Sequence, residues 1–220
     1  SSTIPIVFSM GGDPVRDSLV ASLSRPGGNL TGVTTLNVEL GPKRLELMHE
    51  LVPTTTVFGL LINPTNFAQS EILSRDVQAA ARSVGLEIHV LRASTEADLV
   101  AVFESLSQLR VGALVIGADA FFNSRSEQLA ALALRYAVPA IYQYRPFAAA
   151  GGLMSYGGNI AESYRQVGVY VGRILKGESP ADLPVQQFTK IELIINLKTA
   201  KALGITVPLP LSGRADELIE

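Results

Sequence analysis

Apolar runs of strand length alternate with segments of helical period along most of this 220-residue chain, the pattern of an α/β protein with largely parallel sheets. Residues 4–9, 30–36, 57–62, 88–91, 113–116, 138–142 and 191–195 read as strands. Between them, Asp13-Pro14 predicts a helix over 14–23, with the aspartate as cap and the proline in the first turn. Gly41-Pro42 starts a helix that Pro53 stops. Leu73, Val77, Ala80, Ala81 and Val84 share one helical face, and Gly85 ends it. Thr95 with Asp98, Ser124 with Glu127, and Asn159 with Glu162 each have the spacing of a helix-capping pair, for helices reaching about 109, 136 and 174. In the last of these, Ile160, Tyr164, Val167, Val171 and Ile174 form an apolar stripe closed by Gly177. Residues 178–184 read as a linker, 196–203 as a short helix, and the proline-rich tail past Val207 as surface chain.

Composition narrows the classes. At 47% hydrophobic the chain can bury a sizeable core. Its 18 basic and 20 acidic residues leave a net charge of −2 without runs of one sign, so no nucleic-acid or anionic-membrane surface is expected. With no cysteine, disulfides and thiolate chemistry are excluded. No apolar stretch reaches the ~18 residues of a membrane span. The chain opens directly into a strand rather than a signal peptide, an abrupt start that fits removal of an upstream segment.

In open parallel sheets ligands meet the loops at the carboxyl ends of the strands. Polar residues collect there: Ser9 and Asp13 after the first strand, Thr34 at the second, Asn63 at the third, Asp119 after 113–116, and Tyr142 to Arg145 after 138–142. Asp13, Ser124 and Asn159 also read as simple helix caps, Asn63-Pro64 as a turn, and Tyr142 as core. Asp119 lacks an evident capping role and is the stronger site candidate. His49 and His89 read as surface groups, and there is no Walker loop, dinucleotide fingerprint, nucleophile elbow or metal-ligand pattern. No catalytic set, metal or cofactor is therefore expected. Hydroxyls, amides, aromatic rings and a few charges suit binding a small polar ligand better than transforming it.

Residues 4–14, 25–32 (Arg-Pro-Gly-Gly-Asn-Leu-Thr-Gly), 121–125, 138–142, 149–157 (Ala-Ala-Gly-Gly-Leu-Met-Ser-Tyr-Gly) and 195–204 together resemble the solute-binding components of ABC importers in the tryptophan/tyrosine-binding-protein-like family. The resemblance covers nearly the whole chain. It implies a two-lobed, type I periplasmic-binding-protein-like α/β fold with parallel sheets, the first lobe incomplete. Residues 1–39 and 145–185 would form the partial first lobe, and 40–144 with 186–220 the second. Chain crossings are implied near 36–41, 143–147 and within 184–191.

The function implied is binding of a small organic ligand, an aromatic amino acid or related compound, for delivery to an ABC permease. Ser9, Asp13 and Thr34 would contact it from one lobe and Asn63, Asp119 and Tyr142 from the other. Arg145, Ser155 and Tyr156 are further ligand-binding candidates, with Tyr142 available to stack on a planar ligand. A periplasmic or extracellular, membrane-associated location is implied. An incomplete lobe would leave apolar faces and a sheet edge uncovered, so a homodimer or domain-exchanged assembly is expected. The alternatives are an α/β enzyme using the same strand-end loops and the ligand-sensing domain of a regulator or receptor.

Overall fold

The computed structural model describes residues 3–220; Ser1 and Ser2, where the expected first segment opens, lie outside the described residues. In chain order the elements are β1 (Ile6–Met10), β2 (Leu30–Thr34), α1 (Gly41–Leu51), β3 (Val57–Ile62), α2 (Phe67–Ser83), β4 (Glu87–Arg92), α3 (Glu96–Ser105), β5 (Ala113–Ile116), α4 (Ala120–Asn123), α5 (Ser126–Arg135), β6 (Ala140–Tyr142), α6 (Arg145–Ala149), β7 (Met154–Gly158), α7 (Ile160–Leu175), β8 (Gln186–Gln187), β9 (Ile191–Asn196), α8 (Leu197–Ala202), α9 (Leu209–Ser212) and β10 (Glu217–Ile219). The chain divides into two compact units: residues up to Asn37 with Gly158–Ile191, and Val38–Gly157 with Glu192–Glu220.

The larger unit is built on a seven-stranded sheet in the order β10-β9-β7-β6-β5-β3-β4. Parallel register sets Leu61 of β3 beside Leu91 of β4 and Ile116 of β5, and Val115 of β5 beside Ile141 of β6. Central parallel strands are covered on both faces, which is why β3 and β5 are apolar runs rather than alternating ones. Phe58, Leu60 and Val115 are fully buried among Leu45 and Met48 of α1 and Leu73 and Val77 of α2. Each such side chain stabilises the fold by about 1.5–3 kcal/mol relative to its exposed state. In α2, Leu73, Val77 and Ala81 repeat every four residues on the buried side, and Gly85 follows in a left-handed conformation at φ 72°. At α3 both halves of the Thr95–Asp98 capping box form, and hydrogen bonds from the Ser94 and Thr95 amides and hydroxyls hold the Asp98 carboxyl below its ordinary range.

Several expectations are corrected. Residues 145–157 belong with the larger unit, against the expected boundary at 145, because β7 runs beside β6 and pairs Ile141 with Met154 and Tyr142 with Ser155. The crossing expected near 143–147 is occupied instead by α6, with Pro146 in its first turn. Ser124 does not cap α5: its hydroxyl donates back to the Phe121 carbonyl, and Arg125 occupies the cap position without a side-chain bond. The tail is more than surface chain, since β10 adds to the edge of the sheet beside β9. His49 is half-buried, edge-on to Phe58 with ring centroids 6.1 Å apart.

The smaller unit has a three-stranded parallel sheet in the order β1-β2-β8, with α7 packed on it. Val7 lies opposite Thr31 and Phe8 opposite Gly32. A Cβ at Gly32 would lie 2.1 Å from the Phe8 carbonyl oxygen, so only glycine permits this strand pairing. The helix expected over 14–23 is absent. Asp13 Oδ1 accepts from the Val15 and Arg16 amides, at 2.9 and 3.3 Å, and Ser18 takes a positive φ of 57°, so the segment runs as successive turns. Asn159 caps α7 as expected. The apolar stripe of α7 is only partly covered: Tyr164 is 59% exposed, and Leu175, one residue past the stripe, 82%.

Candidate functional site

In the larger unit, β3, β5 and β6 are parallel and in register, so the residues just beyond Ile62, Ile116 and Tyr142 gather along one edge of the sheet. The N-terminus of α2 opens at the same edge. Two of the expected residues meet there directly. Asn63 donates through Nδ2 to Asp119 Oδ1 at 2.9 Å, while Asn66 Nδ2 donates to Asp119 Oδ2 at 3.2 Å and to Gln69 Oε1 at 3.1 Å. Asp119 Oδ1 also accepts from the Phe121 amide at 2.9 Å, which makes Asp119 the cap of α4. The capping role that the sequence did not reveal is therefore real, and three donors already occupy this carboxylate. Asn63 Oδ1 accepts in turn from the Thr65 amide and hydroxyl, at 3.0 and 2.7 Å, so the turn after β3 is locked onto the loop after β5. Beneath this network lies a space of about 10 Å³ between Asn63, Ser70, Gly117 and Phe122, too small for an organic ligand.

Phe67, on the first turn of α2 beside this network, is 72% exposed. Sequence reasoning missed it, although an aromatic residue directly after the polar Asn63-Pro64-Thr65-Asn66 turn is the signal that marks it. Gln143, just past β6, is fully buried and donates through Nε2 to Asn123 Oδ1 at 2.5 Å, tying β6 to the end of α4.

Tyr142 does not present its ring for stacking on a ligand. It is fully buried, its ring stacks on Phe147 with centroids 4.8 Å apart, and its hydroxyl donates to the Leu129 carbonyl at 3.4 Å. Burial pushes its phenol pKa up. Arg145 is engaged in a two-point ion pair with Glu217, at 2.7 and 2.6 Å, which raises the arginine pKa and lowers that of the glutamate. Ser155 is buried in β7. Tyr156 packs half-buried against the core, and its carbonyl accepts from Nε of the fully buried Arg44 at 2.9 Å. Burial lowers the Arg44 pKa to about 10.

In the smaller unit, Ser9, Asp13 and Thr34 lie at the carboxyl ends of β1 and β2. Ser9 is exposed, whereas the buried Thr34 hydroxyl donates to the Gly12 carbonyl at 2.6 Å and so anchors the loop that Asp13 organises.

The family described as ABC transporter substrate binding protein matches residues 1–219. A tyrosine-binding protein of Clostridioides difficile (strain R20291) is 28% identical over 203 residues, 92% of this chain and 57% of that protein. The chain thus spans less than two thirds of this curated relative's length. Among solved structures, a conserved domain protein from Vibrio cholerae superposes with a TM-score of 0.84 at 27% identity, covering 99% of this chain and 72% of its own. An ABC domain from Streptococcus pneumonia in complex with L-Trp gives a TM-score of 0.83 at 24% identity, covering 100% and 75%. The fold is type I periplasmic-binding-protein-like.

Proposed function

The chain belongs to the ABC transporter substrate-binding protein family, and we propose from this that it is the solute-binding component of an importer, taking an aromatic amino acid or a related small organic molecule for delivery to an ABC permease. The match over residues 1–219 carries this reading. The family is one of binding proteins rather than enzymes, and binding without chemical change is the role proposed here. The ligand class is supported by a relative named as tyrosine-binding and a neighbour held in complex with L-Trp.

Geometry supports it through the strand-end edge of the larger unit. Phe67 offers an exposed ring for stacking, and the Asn63–Asn66–Asp119 network fixes the loops beside it. Ser9 is the exposed hydroxyl of the set in the smaller unit. Calorimetric titration of the chain with L-tyrosine, L-tryptophan and L-phenylalanine tests the ligand class, with L-alanine and L-glutamate as controls. Binding of at least one aromatic amino acid and of neither control is expected; no heat from any of the three at millimolar concentration sinks the proposal.

The same reading places the protein in the periplasm or outside the cell in association with the membrane. Self-association as a homodimer or domain-exchanged assembly is part of it, supported by the smaller unit's exposed Ile4, Ile6, Tyr164 and Leu175 and by the outer edge of β1, which has no paired strand among the described residues. Light scattering that returns a monomer mass at all concentrations would count against that assembly.

A further inference from the structure

The short helix α4 is held at both ends. Asp119 at its start is bonded to Asn63 and Asn66 in the turn after β3, and Asn123 at its end accepts from Gln143, the residue after β6. The helix therefore links the ends of β3, β5 and β6 along the edge proposed for the ligand. Gln143 is fully buried, and only its donor half is used: Nε2 bonds Asn123, while Oε1 is enclosed without a hydrogen-bond partner. A buried acceptor left unbonded is disfavoured, and an apolar side chain of the same shape would avoid that cost. The presence of glutamine here calls for a role other than stability, and its bond to Asn123 supplies one. With Asn123 Oδ1 fixed by Gln143, the other half of the planar amide, Nδ2, is turned away from the buried glutamine. This nitrogen bonds no other group among the described residues, and on the half-buried Asn123 it reaches solvent. Asp119, by contrast, already accepts three bonds.

We propose that Asn123 is a ligand-binding residue of this site, its Nδ2 donating to the carboxylate of the amino acid, and that Gln143 is the positioning residue that aims it. An N–H group can bond only to an acceptor, and the carboxylate is the strong acceptor of an amino acid. A donor already locked on its other side loses little freedom when the ligand arrives. The proposal rests on the reading of the chain as an aromatic amino-acid binder, and adds to it the group that recognises the carboxylate end.

The test is calorimetric titration of the full chain and its variants with L-tyrosine, L-tryptophan and L-phenylalanine, beside urea unfolding of each variant without ligand. Asn123→Ala should weaken binding roughly tenfold, the loss of one hydrogen bond to a charged group. Asn123→Asp can still accept from Gln143 but sets a negative charge against the carboxylate. It should weaken binding further while unfolding close to wild type. Gln143→Met, similar in shape, should unfold at the same or a higher urea concentration than wild type and bind several-fold more weakly. In the Asn123→Ala background it should change affinity no further, a coupling that a merely structural role would not give. Failure of wild type to bind any of the three amino acids would remove the ligand reading and this proposal with it. Wild-type binding that Asn123→Ala leaves unchanged, or that Asn123→Asp tightens, overturns this proposal alone. So does an effect of Gln143→Met on affinity that is the same with and without Asn123.

Discussion

Replacing Tyr142 with phenylalanine tests whether this residue is core, as the structure places it, or part of a ligand surface. The hydroxyl is buried and donates to the Leu129 carbonyl at 3.4 Å, a long bond whose loss costs about 0.5–1 kcal/mol near neutral pH. The ring keeps its stacking on Phe147 in the variant. At high pH the comparison reverses. Burial raises the folded-state pKa of this phenol, while in the unfolded chain it titrates near the reference value of about 10. A folded pKa above the unfolded one gives a contribution that is complete below about pH 10 and lost as the pH climbs beyond it. At pH 11, with the folded phenol still neutral, wild type has lost about 1.4 kcal/mol that the variant never had. Tyr142→Phe should therefore be the less stable protein at pH 7 and level with or above wild type at pH 11. The other tyrosines of the six cancel in the difference. So does Arg44, whose pKa is lowered to about 10 and whose contribution therefore runs with the opposite sign. Urea unfolding followed by far-UV circular dichroism at the two pH values reads the effect. A stability difference that stays constant from pH 7 to 11 would refute the buried, neutral phenol.

Asp119→Ala should cost about 2–4 kcal/mol in the same unfolding assay, because it removes the cap of α4 and strips the buried Asn63 amide of its acceptor. Asp119→Asn, which keeps one oxygen for the Phe121 amide, should recover most of that loss. Phe67→Ala should leave stability within about 0.5 kcal/mol, since the ring is 72% exposed. The same change should weaken an aromatic ligand by roughly tenfold in calorimetry if the ring stacks on it. Gly32→Ala should destabilise the smaller unit by at least about 3 kcal/mol, because the new methyl would meet the Phe8 carbonyl at 2.1 Å and force β1 away from β2. Hydrogen exchange resolved by segment should then show early loss of protection in β1 and β2, with β3 and β5 unchanged.

What the sequence revealed and what it hid follow one physical distinction. β3 and β5 are fully covered parallel strands, so their apolar runs are continuous and legible. The Thr95–Asp98 and Asn159–Glu162 caps are local too, set by residues three apart, and both form. The misses lie where a side chain is claimed by a distant partner or by its own loop. Asp13 spends its carboxylate on the amides of Val15 and Arg16, which stabilises turns in place of the helix that Asp13-Pro14 predicts. Asp119 looks free in sequence because the residue after it begins a helix of only four residues, and because the amide it binds belongs to Asn63, 56 positions earlier. Tyr142 follows two apolar residues at a strand end, a pattern shared by core and cleft residues; only the position of Phe147 decides between them. The consequence reaches the ligand proposal. The residues at a strand-end site that are easiest to recognise in sequence, Asp119 and Asn63, are those whose hydrogen bonds already hold the loops together. The groups proposed to meet a ligand are their less conspicuous neighbours, Phe67 foremost. An alanine scan restricted to the expected set would then register lost stability at Asp119 and leave untried the contact proposed for the exposed ring beside it.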